Sequence, residues 1–149
     1  MNAPEMTARR LSESPLPSLL TAVKDRMLRQ LHDRIAEEGF DDLRYKHGFV
    51  FRLIDEDGCR LTDLADRSRQ TKQGIGETVS ELEQLGYVER VPAPDDRRAK
   101  IIRLTERGRK CQGAAERALD EIEQGWAARF GDDQVTALRH VLEEVARDP

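Results

Sequence analysis

Residues 71–105 read TKQGIGETVSELEQLGYVERVPAPDDRRAKIIRLT, and this stretch contains two different hydrophobic periods. Its first half repeats apolar residues every three or four positions, which places them on one face of an α-helix. These residues are Ile75, Val79, Leu82 and Leu85. Thr71 is a candidate N-cap and Gly86 a candidate C-terminal stop. The pattern therefore predicts a helix that begins after Thr71 and ends before Gly86.

The second half of the same stretch predicts a β-hairpin. Residues 87–91 and 100–104 are short runs rich in β-branched and aromatic side chains, and residues 92–98 between them have the composition of a turn. Alternation along the second run places its isoleucine and leucine pair toward a core, with the lysine at the start of the run near the tip. The tip then carries three cations, Arg97, Arg98 and Lys100.

A shorter helical pattern precedes this stretch. Residues 60–67, RLTDLADR, carry regularly spaced apolar side chains, and only Ser68-Arg69-Gln70 separates them from Thr71. Two helices joined by a tight turn form a helix-turn-helix, whose second helix presents its N-terminal residues to base edges in the major groove of DNA. The hairpin would be the wing that follows such a motif, with arginines suited to phosphates or to the narrow minor groove. The candidate groove contacts are Arg69, Thr71, Lys72, Gln73, Gly74 and Gly76.

The segments LTDLADRS, TKQGIGETVSELEQLGYVER and PDDRRAKIIRLTERG, in this order, resemble the multiple-antibiotic-resistance-regulator (MarR-type) family of bacterial transcription factors. The resemblance extends from about residue 16 to residue 145. It implies a winged-helix homodimer held together by the N- and C-terminal helices, with double-stranded DNA as the partner. It also implies that Arg98 enters the minor groove, and that Asp96 orients groups of the wing or of the recognition helix through a salt bridge.

Two features of the predicted recognition helix depart from expectation. Gly74 and Gly76 each cost about 1 kcal/mol of helix propensity relative to alanine, and we hypothesise that they allow close contact with the DNA backbone. Glu77 stands where relatives often have a basic residue, so the resemblance implies a different base preference.

Long amphipathic patterns lie on both sides of the DNA-binding lobe, which we place at about residues 44–105. Helices are predicted over about 15–38 and over 106–147, the latter broken at Gly131 with Asp132 as the cap of its last part. Their apolar stripes exceed what a small winged-helix core can cover, so a dimer is favoured over a protomer that folds back on itself. The predicted fold is mainly α with a small β-hairpin wing, one domain over residues 15–149 after a disordered tail at 1–14.

A further helix is predicted from Leu43 to Ile54, between the long helices and the helix-turn-helix. The resemblance implies that small anionic or aromatic effectors bind near this junction, and Tyr45 and His47 are chemically suited to hold such a molecule. The alternative is structural, with Tyr45 packed in the core and His47 bonded to the backbone. Both readings remain open from the sequence.

Composition agrees with one mainly helical domain, because the 149 residues are 38% hydrophobic and 36% charged. The formal charge is −4, yet residues 60–110 hold twelve Lys/Arg against nine Asp/Glu, whereas residues 111–149 hold four against nine. This separation either directs the basic section toward phosphate or is a chance imbalance.

Several other classes are disfavoured. The chain has neither a 20-residue apolar run nor the apolar core of a signal peptide, so we expect a cytoplasmic protein with no membrane partner. Cys59 and Cys111 fit no metal spacing, and we expect no cofactor; reduced structural thiols are favoured over oxidant sensors. The three histidines are scattered and no catalytic motif is present, which argues against an enzyme.

The favoured function is a ligand-responsive dimeric repressor on a pseudo-palindromic operator, and the alternative is a protein-binding winged helix without DNA affinity.

Overall fold

The computed structural model describes residues 13–148, and within them the chain forms six helices and three short strands. In chain order these are α1 Leu16–Glu37, α2 Tyr45–Phe51, β1 Cys59–Arg60, α3 Leu61–Ser68, α4 Lys72–Gln84, β2 Val88–Pro92, β3 Lys100–Leu104, α5 Glu106–Phe130 and α6 Asp132–Arg147. The predicted mainly helical winged fold is confirmed. The predicted tail at 1–14 lies almost wholly outside the described residues.

Two helix starts differ from the prediction. The helix predicted over 43–54 runs only from Tyr45 to Phe51, because the backbone N–H of Arg44 donates to the His47 ring and fixes Arg44 as the N-cap. Gly131 rather than Asp132 is the N-cap of α6, and no side chain caps that helix. Asp132 is instead the first helical residue, where its negative charge interacts favourably with the positive end of the helix dipole.

The sheet has three strands where the sequence predicted a two-stranded hairpin. All neighbours are antiparallel in the order β1-β3-β2, with Val88 opposite Leu104 and Cys59 opposite Ile102. β1 contains only two residues, which is too short to show the alternation by which strands are recognised in a sequence. Its pairing ties the residue just before α3 to the middle of the wing.

The hydrophobic core lies under the recognition helix α4. Ile75, Val79 and Leu82 are each fully buried, and they pack in one cluster with residues of α2, α3, the sheet and α5. Since three turns of one face are held in this way, the opposite face of α4 has a fixed orientation toward solvent. The periodicity that predicted the helix thus also determines which side chains are exposed.

The first turn of α5 is built against the end of α4. The Thr105 side chain caps α5 by accepting from Gly108 N at 3.1 Å, and its hydroxyl donates to the Gly86 carbonyl at 2.6 Å. The Thr105 N–H donates to the Tyr87 carbonyl at 3.0 Å. Gly86 has φ +82° and ends the recognition helix as predicted. The exit of α4 and the entry of α5 therefore form one hydrogen-bonded joint.

A polar cluster closes the same joint from the other side. The buried Tyr87 hydroxyl donates to Asp42, and Arg107 donates to both the Asp42 carboxylate, at 2.9 Å, and the Tyr87 oxygen, at 3.0 Å. The Arg107 guanidinium also lies 4.5 Å from the centre of the tyrosine ring. Burial, together with donation to Asp42, raises the pKa of Tyr87. The loop after α1 is thereby attached to α5 and to the start of β2.

The C-terminal helix has no core of its own in the protomer. No residue of α6 is buried, and its apolar side chains Leu138, Val141, Leu142 and Val145 are 42–68% exposed. Leu16, Leu20 and Val23 of α1 are exposed as well. No helix among residues 13–148 has the length and apolarity needed to cross a membrane.

The joint between α4 and α5 generates a stability prediction. A Cβ added at Gly108 would overlap the carbonyl oxygen of Tyr87 and stand 3.1 Å from its carbonyl carbon, and backbone cannot move aside easily. We expect Gly108→Ala to lower the free energy of unfolding by about 2–3 kcal/mol, measured by urea denaturation.

Gly113→Ala is the matched control on the same helix. A Cβ there would meet only the flexible end of Arg117, at 3.4 Å. This control should be neutral or stabilising by up to about 1 kcal/mol through helix propensity. Equal midpoints for the two variants would show that the joint tolerates a side chain.

Candidate nucleic-acid interface

The turn between α3 and α4 contains a strained backbone. Arg69 caps α3 in the left-handed conformation, with φ +54° and ψ +28°, and is the one non-glycine residue of positive φ among residues 13–148. Its neighbours close the turn, since Gln70 N donates to the Ala65 carbonyl at 3.3 Å and to Ser68 Oγ at 3.2 Å. This turn sets the angle between the two helices and leaves the Arg69 side chain exposed.

The start of α4 matches the sequence prediction. Thr71 is the N-cap, and its side chain accepts from Gly74 N at 3.1 Å. Lys72, Gln73 and Glu77 project from the exposed face, opposite the buried stripe. The protein therefore presents a short polar edge with one cation, one amide and one carboxylate at the N-terminal half of the helix.

The two glycines of α4 lie in different surroundings. A Cβ at Gly74 would stand 3.2 Å from the Thr71 hydroxyl, which is tight and would disturb the cap. A Cβ at Gly76 would meet the Leu61 side chain at an ordinary 3.7 Å. Gly76 faces the first helix of the motif on one side, so a role in close approach to DNA stays a hypothesis for both positions.

The wing tip lies between β2 and β3 and is closed by short local bonds. Ala93 N donates to the Ala99 carbonyl at 3.0 Å, and the Asp96 carboxylate accepts from the backbone N–H of Arg98 at 2.9 Å. The ion pair at this tip is made by Asp95 with Arg60 of β1, at 3.4 Å. The implied salt bridge of Asp96 is thus corrected: its carboxylate orients the tip through a backbone N–H, because the tight turn brings that amide into reach.

The cations of the tip are available to a ligand. Arg97, Arg98 and Lys100 are exposed, and none of the ion pairs formed among residues 13–148 includes them. The wing and the exposed edge of α4 follow one another along the chain and share the same core. The predicted contact residues are therefore brought onto one lobe.

Helix α2 fixes the recognition helix through a carboxylate that the sequence reading missed. Glu81 of α4 accepts from Lys46 Nζ at 2.7 Å and lies 2.8 Å from the second ring nitrogen of the buried His47. The bonds from Lys46 and His47 lower the pKa of Glu81 to about 2. Glu81 follows the apolar residue Val79 by two positions, and no local pattern identifies a partner on another helix.

These contacts bear on the two candidate effector residues. Both ring nitrogens of His47 are engaged by the protein, as the structural alternative predicted for this residue. Tyr45 is 54% exposed and is not part of the core; its ring packs edge-on against His32, with centroids 4.6 Å apart. Core packing of Tyr45 is therefore corrected, since the first residue of the short helix α2 points outward.

An open cavity lies elsewhere, between the end of α1 and the first half of α5. Its volume is about 560 Å³, and neither Tyr45 nor His47 lines it. The lining residues are Glu38, Phe40, Glu106, Arg109, Lys110, Gly113 and Arg117. Cationic, acidic and aromatic groups therefore meet at the junction of the DNA-binding lobe with the long helices.

Both cysteines lie in the interior of the protein. Cys59 and Cys111 are free and buried. Burial raises the pKa of both, that of Cys111 to about 11, so both stay protonated at neutral pH. Among residues 13–148 no group of three potential ligands is arranged for a metal ion.

A model of the MarR family matches residues 42–99, which span α2, the helix-turn-helix and the wing tip. Over these residues the chain is similar to the MarR family. The curated relatives BilQ and HosA are transcriptional regulators, and the segment similar to the MarR family includes α4, the helix that the sequence predicts to be the recognition helix. The matched segment contains every predicted DNA contact except Lys100.

Similarity to individual MarR-family proteins extends beyond that segment. The HTH-type transcriptional regulator BilQ of Clostridioides difficile is 28% identical over 105 residues, covering 66% of this chain and 71% of BilQ. The crystal structure of CouR from Rhodococcus jostii RHA1 bound to p-coumaroyl-CoA superposes with a TM-score of 0.68 at 27% identity, covering 93% of this chain and 96% of CouR. CouR bound to a 23-mer DNA duplex gives a TM-score of 0.72 at 26% identity, with the same coverage.

The left-handed conformation of Arg69 leads to a prediction that separates the effect of backbone strain on stability from the effect of losing the guanidinium. Glycine carries no steric penalty in this conformation, so we expect Arg69→Gly to raise the free energy of unfolding by about 0.5–1 kcal/mol. Arg69→Ala also removes the guanidinium but keeps the Cβ, and it should change stability little. Urea denaturation of both variants measures the difference, and coincident curves would contradict a strained Arg69.

Proposed function

We propose that this protein is a homodimeric DNA-binding repressor of the MarR family whose α4 enters the major groove and whose wing enters the minor groove of a pseudo-palindromic operator. The observation that carries the proposal is that the wing-tip cations are exposed and form no ion pairs among residues 13–148, on the same lobe as the exposed polar edge of α4. CouR, which shares the fold over 93% of this chain, has been crystallised with DNA. Exclusion of polymerase from the occupied site would produce repression.

In the major groove, the exposed side chains of α4 supply base contacts. Gln73 can pair with adenine through its amide, and Lys72 can reach guanine or a phosphate. Thr71, Gly74 and Gly76 bring the start of the helix near the backbone, and Arg69 extends from the strained turn toward a phosphate. The buried stripe and the Glu81 contacts to α2 hold this edge in place before DNA arrives.

At the wing, Arg98 is the residue proposed to enter the minor groove. A narrow minor groove has an enhanced negative potential that attracts arginine. Asp96 supports the tip conformation by accepting a hydrogen bond from the Arg98 backbone N–H at 2.9 Å, and Asp95 is paired with Arg60. Arg97 and Lys100 are assigned to flanking phosphates.

The exposed apolar faces of the terminal helices are proposed to form the dimer interface. They consist of side chains of α1 and α6 that stay exposed in the protomer described by residues 13–148. A twofold arrangement places two recognition helices about 34 Å apart, the spacing of successive major grooves on one side of DNA. Dimerisation thus buries the exposed apolar faces and gives the protein the twofold symmetry of a pseudo-palindromic operator.

An effector is the remaining part of the proposal. CouR has been crystallised with p-coumaroyl-CoA, an aromatic acyl thioester. A small anionic or aromatic molecule would release DNA to the extent that it binds the DNA-incompetent dimer more tightly. The cavity between α1 and α5, which three cations line, is the proposed binding site, and the sequence-based candidates Tyr45 and His47 lie outside it.

The proposed dimer can be tested by measuring the molecular mass and the operator affinity of the same variants. Wild-type protein should sediment at twice the 17.0 kDa chain mass. Leu142→Glu with Val145→Glu places charges on side chains that are already exposed in the protomer, so the fold should persist by circular dichroism. We expect this variant to be monomeric at micromolar concentration and to lose operator binding. A wild-type protein of single-chain mass would contradict the dimer.

The wing generates a test of DNA binding by salt-dependent gel shift. The logarithm of the affinity should fall linearly with the logarithm of salt concentration, as phosphate neutralisation requires. Arg98→Ala should weaken binding by about 1–3 kcal/mol. Arg117→Ala removes an exposed arginine from α5 that pairs with Glu38, and it should leave affinity unchanged.

The same gel shift discriminates the rival function. A winged helix that binds another protein instead of DNA would show no steep salt dependence and no effect of Arg98→Ala. That pair of results would contradict the proposed function while leaving the fold and the similarity to the MarR family unaffected.

A further inference from the structure

Three glutamates lie along the recognition helix, and within the described part of the chain two of them are paired with cations whereas the third is not. Glu81 is paired with Lys46 at 2.7 Å, and Glu83 lies 3.7 Å from Arg90. None of the ion pairs among residues 13–148 includes Glu77, which is exposed on the edge proposed to face DNA. The Glu77 carboxylate accepts a long hydrogen bond from Gln73 one turn earlier, whose Nε2 lies 3.5 Å away.

An unneutralised carboxylate at this place has a physical cost. The walls of the major groove are lined with phosphates, so an anion inserted there lowers affinity for DNA in general. Glu77 is the sixth residue of α4, beyond the first turn in which the helix dipole stabilises an anion. The cost is offset only where a base offers a hydrogen-bond donor to the carboxylate.

The major groove offers such donors on two bases. Cytosine presents its N4 amino group and adenine its N6 amino group, whereas guanine and thymine present acceptors to the same groove. Beside its amino group adenine carries the N7 acceptor, which repels the second carboxylate oxygen. Cytosine carries no acceptor there, so it is the base that a glutamate accommodates best.

We propose that Glu77 is a specificity-determining residue that reads the N4 amino group of a cytosine in each half-site. The inference rests on the proposed function and deepens it. Gln73 takes part through its orientation: its Nε2 carries two N–H groups, of which one meets Glu77, while the other and the Oε1 carbonyl remain for an adenine edge. Neighbouring adenine and cytosine positions are therefore read by one coupled pair of side chains.

Selection from a random DNA pool tests the proposal with four proteins, wild type, Glu77→Gln, Glu77→Ala and the control Glu116→Gln. Glu116 is an exposed glutamate of α5, so its variant matches the charge change away from the recognition helix. We expect the wild type and the control to enrich the same cytosine in each half-site. The Glu77 variants should lose about tenfold of that preference at this single position. They should also bind random duplex several-fold more tightly, because the repulsion is removed.

Two results would overturn the inference. One is an unchanged base preference in both Glu77 variants, and the other is a uniform rise in affinity at every site with no change at any position. Both leave the proposed function standing, because the wild type still enriches a symmetric motif. If the wild type enriches no sequence at all, the proposed function fails first, so the two failures are distinguishable.

Discussion

The joint between the end of α4 and the start of α5 is the constraint on which the rest of the molecule depends. Thr105 bonds to the carbonyl of Gly86 and to that of Tyr87, and the first turn of α5 packs so closely on this backbone that only glycine fits at position 108. The recognition helix therefore cannot turn without α5. Because α5 is followed by α6, whose exposed apolar face is proposed to lie in the dimer interface, a change in the angle between subunits of that dimer would reach α4 through this short, hydrogen-bonded connection.

The charge distribution becomes understandable once the contacts are known. A net charge of −4 would repel DNA if it were spread evenly, but many carboxylates are occupied within the protein. Glu81 is bound by Lys46 and His47, and Asp95 by Arg60, so these two carboxylates of the DNA-binding lobe are partly neutralised, whereas Glu77, within the residues described, is not. The wing cations have no such partners among residues 13–148. Pairing, more than composition, determines which surface remains attractive to phosphate.

Local patterns in the sequence predicted most of the fold, and long-range contacts account for what they missed. The buried stripe of α4, the cap at Thr71 and the two long C-terminal helices follow from periodicity and from capping residues that act within a few positions. Strand β1 was missed because two residues carry no period, and its pairing depends on β3 about forty positions later. Glu81 was missed for the same reason, since its partners lie on α2. The MarR resemblance supplied residue roles that spacing alone does not give, and for Asp96 the type of contact it implied was wrong.

Several features that cost stability cluster around the start of α4. The left-handed Arg69, the two glycines within α4 and the unneutralised Glu77 each break a local rule, and all lie within nine residues around the start of the recognition helix. Local preference and tertiary structure agree at the capped start of α5 and along the fully buried stripe of α4. Natural proteins tolerate such violations where function requires them and compensate in the core. The fully buried residues beneath α4 provide that compensation, because they hold the helix in place even though its exposed edge is poorly suited to folding alone.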